Sequence, residues 1–405
     1  MKKVYLFSLL LVVGLVLSQI VPHLLSDSFE TFKLFTNALL YISLAFIMIN
    51  VGREFEIDKK RWKNYAVDYG VAMGAAALPW IFVALYYIFV IAGQETGIPG
   101  DAYAWKETFL LSRYAAPTSA GILFTMLAAA NLKQTWVYDK VQVLAIFDDL
   151  DTIILMIPLQ ILMIGMKWQM FVILIVAVLL IWLGWKKMGT VNIRQDWKAV
   201  LIYSIFLFAI IEVLYRVSMH FYGREGAIHI EILLPAFVLG ILMTKNLSIE
   251  ENKIEERASN SVSYLFMLLV GLSMPLFVGV DFNAQNVSSA SVISNIPMPS
   301  WSVIIFHVIM VTLLSNVGKL FPILFYRDRS FSERLAVSVG MFTRGEVGAG
   351  VLFIAIGYSI SGTLLVVSVL AMCLNLLLTA FFITFAKSLT YSALRKTTES
   401  APLIK

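Results

Sequence analysis

Cysteine is nearly missing: the 405-residue chain carries one, Cys373, inside an apolar run. A single thiol excludes an intrachain disulfide framework and any multi-cysteine metal or redox site. Charge is scarce too. Asp, Glu, Lys and Arg make up 14% of the residues, against about 25% in soluble globular chains. No G-x-x-x-x-G-K-S/T phosphate loop occurs, so ATP-driven work has no engine here, and no His/Cys spacing suits a metal. What the chain does have is apolar surface, with 60% hydrophobic residues and a mean hydropathy of +0.83. A soluble fold of this size has to cover itself with polar groups, so the excess must face lipid. The expected class is an all-α polytopic membrane protein without a soluble domain. The net charge of +5 does not point to nucleic acid, because basic loop residues orient membrane proteins. The apolar stretch from Val4 to Val21 is longer than a signal-peptide core of about 7–15 residues and has no A-x-A site. It reads as the first helix.

A span needs about 20 apolar residues. Cutting at polar breaks gives about twelve, near 4–25, 34–52, 66–93, 107–131, 140–165, 168–185, 199–221, 228–244, 262–280, 301–326, 335–358 and 362–386. With both termini cytoplasmic, 23 of the 31 Lys and Arg fall on the inside and only Lys33, Lys106, Lys167 and Arg224 outside. That bias favours this orientation and an even number of spans.

Ionisable residues inside spans are costly and therefore functional candidates. The densest group is Asp148-Asp149-Leu150-Asp151. Asp148 lies eight residues past Lys140, about 12 Å into the membrane. Asp148 and Asp151 share a helix face, whereas Asp149 is turned by about 100°. Crowded buried carboxylates repel, which lets one of them trade a proton for a cation. Lys319 is equally deep relative to Arg327, too deep to snorkel comfortably, and the acid cluster is its natural counter-ion. Two spans look interrupted. One contains Arg113-Tyr114-Ala115-Ala116-Pro117-Thr118-Ser119; the other holds Arg344 and Glu346 among four glycines between Gly340 and Gly350. Paired broken spans in corresponding positions mark the substrate site of inverted-repeat transporters, with spans three to five and ten to twelve as the two halves. Glu212 and Arg216, spaced i,i+4, read as an intrahelical ion pair. His229 and Glu231 fall at the outer interface, and His307 reads as a packed histidine.

Asp148-Asp149, Gly318-Lys319 and Thr343-Arg344-Gly345-Glu346, in that order along the chain, resemble bacterial sodium/proton antiporters of the monovalent cation/proton antiporter superfamily, of the NapA/NhaA-like kind. Val51-Gly52-Arg53-Glu54-Phe55-Glu56-Ile57-Asp58 and Pro117-Thr118-Ser119 extend the likeness. The resemblance implies an NhaA-like fold with inverted-topology repeats and two crossing discontinuous helices. It also implies a core bundle at about 66–165 and 299–388, a dimerisation bundle at about 4–52 and 168–281, and a homodimer in the cell (inner) membrane. Carried over, Asp149 is the essential carrier of cation and proton, and Asp148 is the adjacent acid paired with Lys319. Sodium is expected at Asp149 and Asp148, near Thr118 and Ser119. Arg344 and Glu346 form a charged pair at the second crossing. Asp151 departs from the family pattern and is an accessory candidate. An Asp-Asp pair with a lysine in the tenth span implies electrogenic exchange of Na⁺ or Li⁺ for protons, with no cofactor beyond the transported ions. Potassium/proton exchange and sodium-coupled symport of an organic anion are the alternatives. No nucleophile–base pair supports an enzyme.

Overall fold

The computed structural model describes residues 2–25, 28–54, 62–94, 98–164, 168–223, 230, 232–243, 249–274, 293, 296, 298–358 and 360–400. The helices run in the order α1 (Lys2–Leu25), α2 (Phe29–Glu54), α3 (Trp62–Tyr86), α4 (Ala102–Ser112), α5 (Ala120–Ala129), α6 (Trp136–Ile164) and α7 (Trp168–Lys187). They continue with α8 (Trp197–Tyr222), α9 (Leu233–Leu242), α10 (Ile249–Leu272), α11 (Trp301–Gly318), α12 (Phe331–Gly340), α13 (Glu346–Gly357) and α14 (Gly362–Ser400). Among the described residues the only β pairing is an isolated bridge between Val191 and Met243. When α4/α5 and α12/α13 are each counted as one interrupted pass, the described helices make twelve passes.

The helices are inside-out relative to those of a soluble protein. On α8 the exposed side chains Ile202, Phe206, Ile210, Val213 and Val217 form an apolar stripe at helical spacing. On α11 the exposed face is Phe306, Ile309, Leu313 and Val317, while His307, Thr312, Ser315, Asn316 and Lys319 point inward. Polar groups in lipid turn to the bundle interior because only there can they find partners.

Packing follows a repeat. The series α3, α4/α5, α6 recurs as α11, α12/α13, α14, and α1, α2 recur as α9, α10. Contacts exchange accordingly: α1 packs on α10 as α9 packs on α2, and α4 touches α14 as α12 touches α6. Two further passes, α7 and α8, separate the five-pass halves, so the second half enters from the opposite side. The inverted repeat expected from sequence is present. Its outer helices meet backbone to backbone: a Cβ added to Gly14 would collide with the Leu268 carbonyl, and one on Gly52 with the Phe237 carbonyl. Gly271 and Gly240 make the reciprocal contacts with Leu11 and Ile49, the small-residue packing by which membrane helices approach closely.

Several ends differ from expectation. α10 starts at Ile249 instead of 262, α14 continues to Ser400 instead of 386, and α4 starts at Ala102 instead of 107. Hydropathy marks the hydrocarbon slab and is blind to helix that continues beyond it. Asp101 caps α4 by accepting from the Tyr103 N–H at 2.6 Å, a polar start that an apolar-run criterion passes over.

Candidate ion-binding site at the helix crossing

Each interrupted pass breaks where its sequence cannot sustain a helix. After α4, a 3₁₀ turn at Arg113–Ala115 leads into Ala116-Pro117-Thr118-Ser119. Pro117 has no N–H to donate and disfavours helix in the residue before it. Ser119 then starts α5, its hydroxyl accepting from the Ile122 N–H at 3.3 Å. α12 ends at Gly340, and Gly345 precedes α13. The two breaks touch: the Ser119 N–H donates to the Thr343 carbonyl at 3.1 Å, and the Thr118 hydroxyl to the Met341 carbonyl at 3.0 Å. Carbonyls released at the end of α12 are thereby satisfied by the other break. The crossing gathers the N-termini of α5 and α13 and the C-termini of α4 and α12, so partial charges of both signs converge there.

α6 presents Asp148 to this crossing. Its Oδ2 accepts from the Thr118 N–H at 2.7 Å and from the Lys319 ammonium at 2.8 Å, and both side chains of the ion pair are 0% exposed. Gly318 makes the approach of Lys319 feasible, since a Cβ there would run into Pro79 of α3. The ammonium and the amide crowd onto one oxygen, while Asp148 Oδ1 is buried without a partner among the described residues. Two guanidiniums flank the pair. Arg344 donates to the Met341 carbonyl at 3.1 Å. Arg113 donates to the Asp151 main-chain carbonyl at 3.1 Å and lies 5.0 Å over the Trp80 ring. Nε and a terminal nitrogen of each arginine are buried without partners among the described residues. Among the described side chains, Arg113, Lys319 and Arg344 thus stand against Asp148 and Asp151, all five at most 1% exposed. Burial on this scale costs several kcal/mol per ion unless each is compensated.

The crossing therefore brings together Thr118, Ser119, Asp148, Lys319 and Arg344, with Asp151 one turn along α6. Asp149 lies on α6 and Glu346 opens α13, but both side chains fall outside the described residues, as do His229 and Glu231. Glu212 and Arg216 make the intrahelical pair at 2.6 Å on the exposed flank of α8. His307 bonds the Tyr86 hydroxyl at 2.8 Å and packs edge-on against the Tyr86 and Phe306 rings.

Sequence reasoning passed over two features. Arg113 was visible as a charge within a span, and its position beside the first break matches that of Arg344 in the second. The other is a charge cluster at the starts of α3 and α6. Asp68 accepts from Lys140 at 3.0 Å on Oδ1 and 2.8 Å on Oδ2 and from the Tyr326 hydroxyl at 2.7 Å. Trp136 packs edge-on to Tyr326 at 5.7 Å, and Arg329 lies 5.0 Å over Trp136.

An inverted repeat of membrane helices, two touching helix breaks and a buried acid–lysine pair at their contact define a multi-pass secondary transporter. The family described as "Sodium/hydrogen exchanger, transmembrane" matches residues 3–395; the chain belongs to the sodium/hydrogen exchanger family, within the monovalent cation/proton antiporter superfamily. It is a membrane antiporter that exchanges a cation for protons, and its family is one of transporters, not enzymes. Among solved structures it is similar to the sodium proton antiporter MjNhaP1 from Methanocaldococcus jannaschii. The TM-score is 0.54 at 14% identity over 96% of this chain and 92% of that one, a likeness of fold. No curated protein matches the chain.

Proposed function

We propose that the protein exchanges Na⁺ or Li⁺ for protons electrogenically by alternating access, with cation and proton competing for Asp149 beside Asp148. The observation that carries this reading is the arrangement of Asp148. Lys319 and the Thr118 N–H hold one carboxylate oxygen, and the other stays open at the junction of two broken helices. An open carboxylate oxygen with nearby hydroxyls and carbonyls is a hard donor set suited to an alkali cation. A proton on the neighbouring Asp149 removes its oxygens from that donor set, so the two ions exclude each other and their fluxes are coupled. Asp148 is engaged by Lys319, which leaves Asp149 as the acid that cycles. An adjacent acid pair with a buried lysine supports more than one proton per cation.

In this reading the core bundle, about 66–165 and 299–388, moves against a bundle at about 4–52 and 168–281 that forms a homodimer. The protein sits in the cell membrane with both termini cytoplasmic. The test is reconstitution in liposomes under a proton gradient, with an internal pH dye read on addition of Na⁺, Li⁺, K⁺ or choline. Dequenching by Na⁺ or Li⁺ that vanishes in Asp149→Asn is the expected result. A response to K⁺ alone moves the protein to potassium exchange, and proton movement retained in Asp149→Asn overturns the carrier role.

A further inference from the structure

α6 carries a second buried acid beyond the ion pair. Asp151 is 1% exposed and lies three residues past Asp148, hence on the same helix face and about 4.5 Å further along. Its carboxylate lies beside the Tyr69 hydroxyl from α3, and among the described residues its Oδ2 is buried without a protein partner. Arg113 does not fill that position. Its guanidinium donates to the Asp151 main-chain carbonyl, its plane lies over the Trp80 ring, and among the described residues Nε and one terminal nitrogen have no partner. An acid kept only to neutralise Arg113 would accept those N–H groups in a bidentate pair. Tyr69 is half-buried and meets the half-buried Phe147 edge-on at 5.6 Å, so the tyrosine is partly accessible where the acid is not. A carboxylate oxygen and a phenol oxygen are hard donors for an alkali ion, and a guanidinium close by penalises a divalent ion twice as strongly as a monovalent one.

Resting on the exchange reading above, we propose that Asp151 and the Tyr69 hydroxyl form a second oxygen station for the transported monovalent cation, one turn from the Asp148–Lys319 pair, which sets apparent affinity and selectivity. The station loads the cation before it reaches the crossing, and Arg113 holds the α6 backbone in place beneath it.

The full chain, purified in detergent, would be titrated with Na⁺, Li⁺ and K⁺, reading the thermal unfolding midpoint, and the same variants would be assayed for exchange in liposomes. Asp151→Asn is expected to raise the half-saturating Na⁺ concentration about tenfold, the effect of about 1.4 kcal/mol of binding, and to change the order of preference among the three ions. Tyr69→Phe is expected to shift it in the same direction by less. If Asp151→Asn lowers the unfolding midpoint but leaves all three half-saturating concentrations unchanged, the acid is a structural partner of Arg113 and the station is overturned. Loss of rate at unchanged half-saturation overturns it as well. Should Asp151→Asn fail to fold, Tyr69→Phe decides by the same criterion. Wild-type exchange that is abolished in Asp149→Asn, with saturation unaltered in Asp151→Asn, removes the station alone. A wild-type protein that neither exchanges nor is stabilised by any of the three ions removes the exchange reading with it.

Discussion

Asp68 and Asp148 are both buried acids on helices of one bundle, and each faces a lysine, yet their surroundings differ in one respect. Both oxygens of Asp68 are taken, by Lys140 twice and by Tyr326 once, and Lys140 keeps 17% of its side chain exposed. Asp148 has two donors stacked on a single oxygen and an open second oxygen, opposite a lysine with no exposure at all. A pair whose lysine reaches solvent and whose acid is saturated does a structural job at low cost. A fully buried pair with an acceptor to spare pays desolvation twice and recovers it incompletely. On the proposed function, the unspent acceptor is the mark that separates the ion site from a fastener, more than burial or charge.

The sharpest way to break this contrast is at the crossing. Lys319→Met strands Asp148 with only the Thr118 N–H and is expected to cost about 3–5 kcal/mol, read as a large drop in the unfolding midpoint. Replacing both members, Asp148→Asn with Lys319→Met, should restore most of the stability, because an isosteric neutral pair carries no desolvation debt. A double variant as unstable as the single one would show that the pair itself stabilises the fold. At the other cluster, Lys140→Met leaves Asp68 its bond from Tyr326. A loss of about 1–3 kcal/mol is expected, with cation-dependent proton movement retained in liposomes. Abolished exchange in a folded Lys140→Met protein would erase the distinction between the two pairs.

The smallest effect is expected for Tyr326→Phe, about 1 kcal/mol, and it has a pH signature. Burial, and then the adjacent Asp68, hold the Tyr326 phenol well above its ordinary value. A group raised in the folded state contributes its stability in full below the unfolded value, near pH 10, and loses it as pH rises further. The wild-type midpoint should therefore fall more steeply than that of Tyr326→Phe between about pH 9 and about pH 11. Parallel slopes would mean that the phenol is not buried against the acid.

Much of the architecture was legible because lipid imposes a simple rule: long apolar runs become helices, and the residues that break the rule stand out. Pro117 and the glycines around Arg344 announced both interruptions, and the depth of Lys319 relative to Arg327 pointed to the acid cluster as its counter-ion, within which the family resemblance singled out Asp148. The Asp68 cluster was not legible for a corresponding reason. Lys140 stands at a helix end, where a lysine normally reports only membrane orientation, and Tyr326 meets Asp68 from 258 positions away along the chain. Pairing across that distance is set by how α3, α6 and the segment after α11 pack together. Arg113 was seen as a charge, but its stacking on Trp80 and its bond to a main-chain carbonyl depend on side-chain directions that spacing does not encode. The polar start of α10 and the long tail of α14 escaped because they are helix outside the apolar slab.

The backbone contacts of Gly14 with α10 and Gly52 with α9 bear on how the protein tolerates sequence change. A survey of every substitution, scored by growth or transport, would find four positions, 14, 52, 240 and 271, that accept glycine and little else, although none of them belongs to the helix crossing. Read as a map of chemistry, such a survey would place a second active region in the outer helices. Read with the structure, it marks the places where two backbones leave no room for a methyl group.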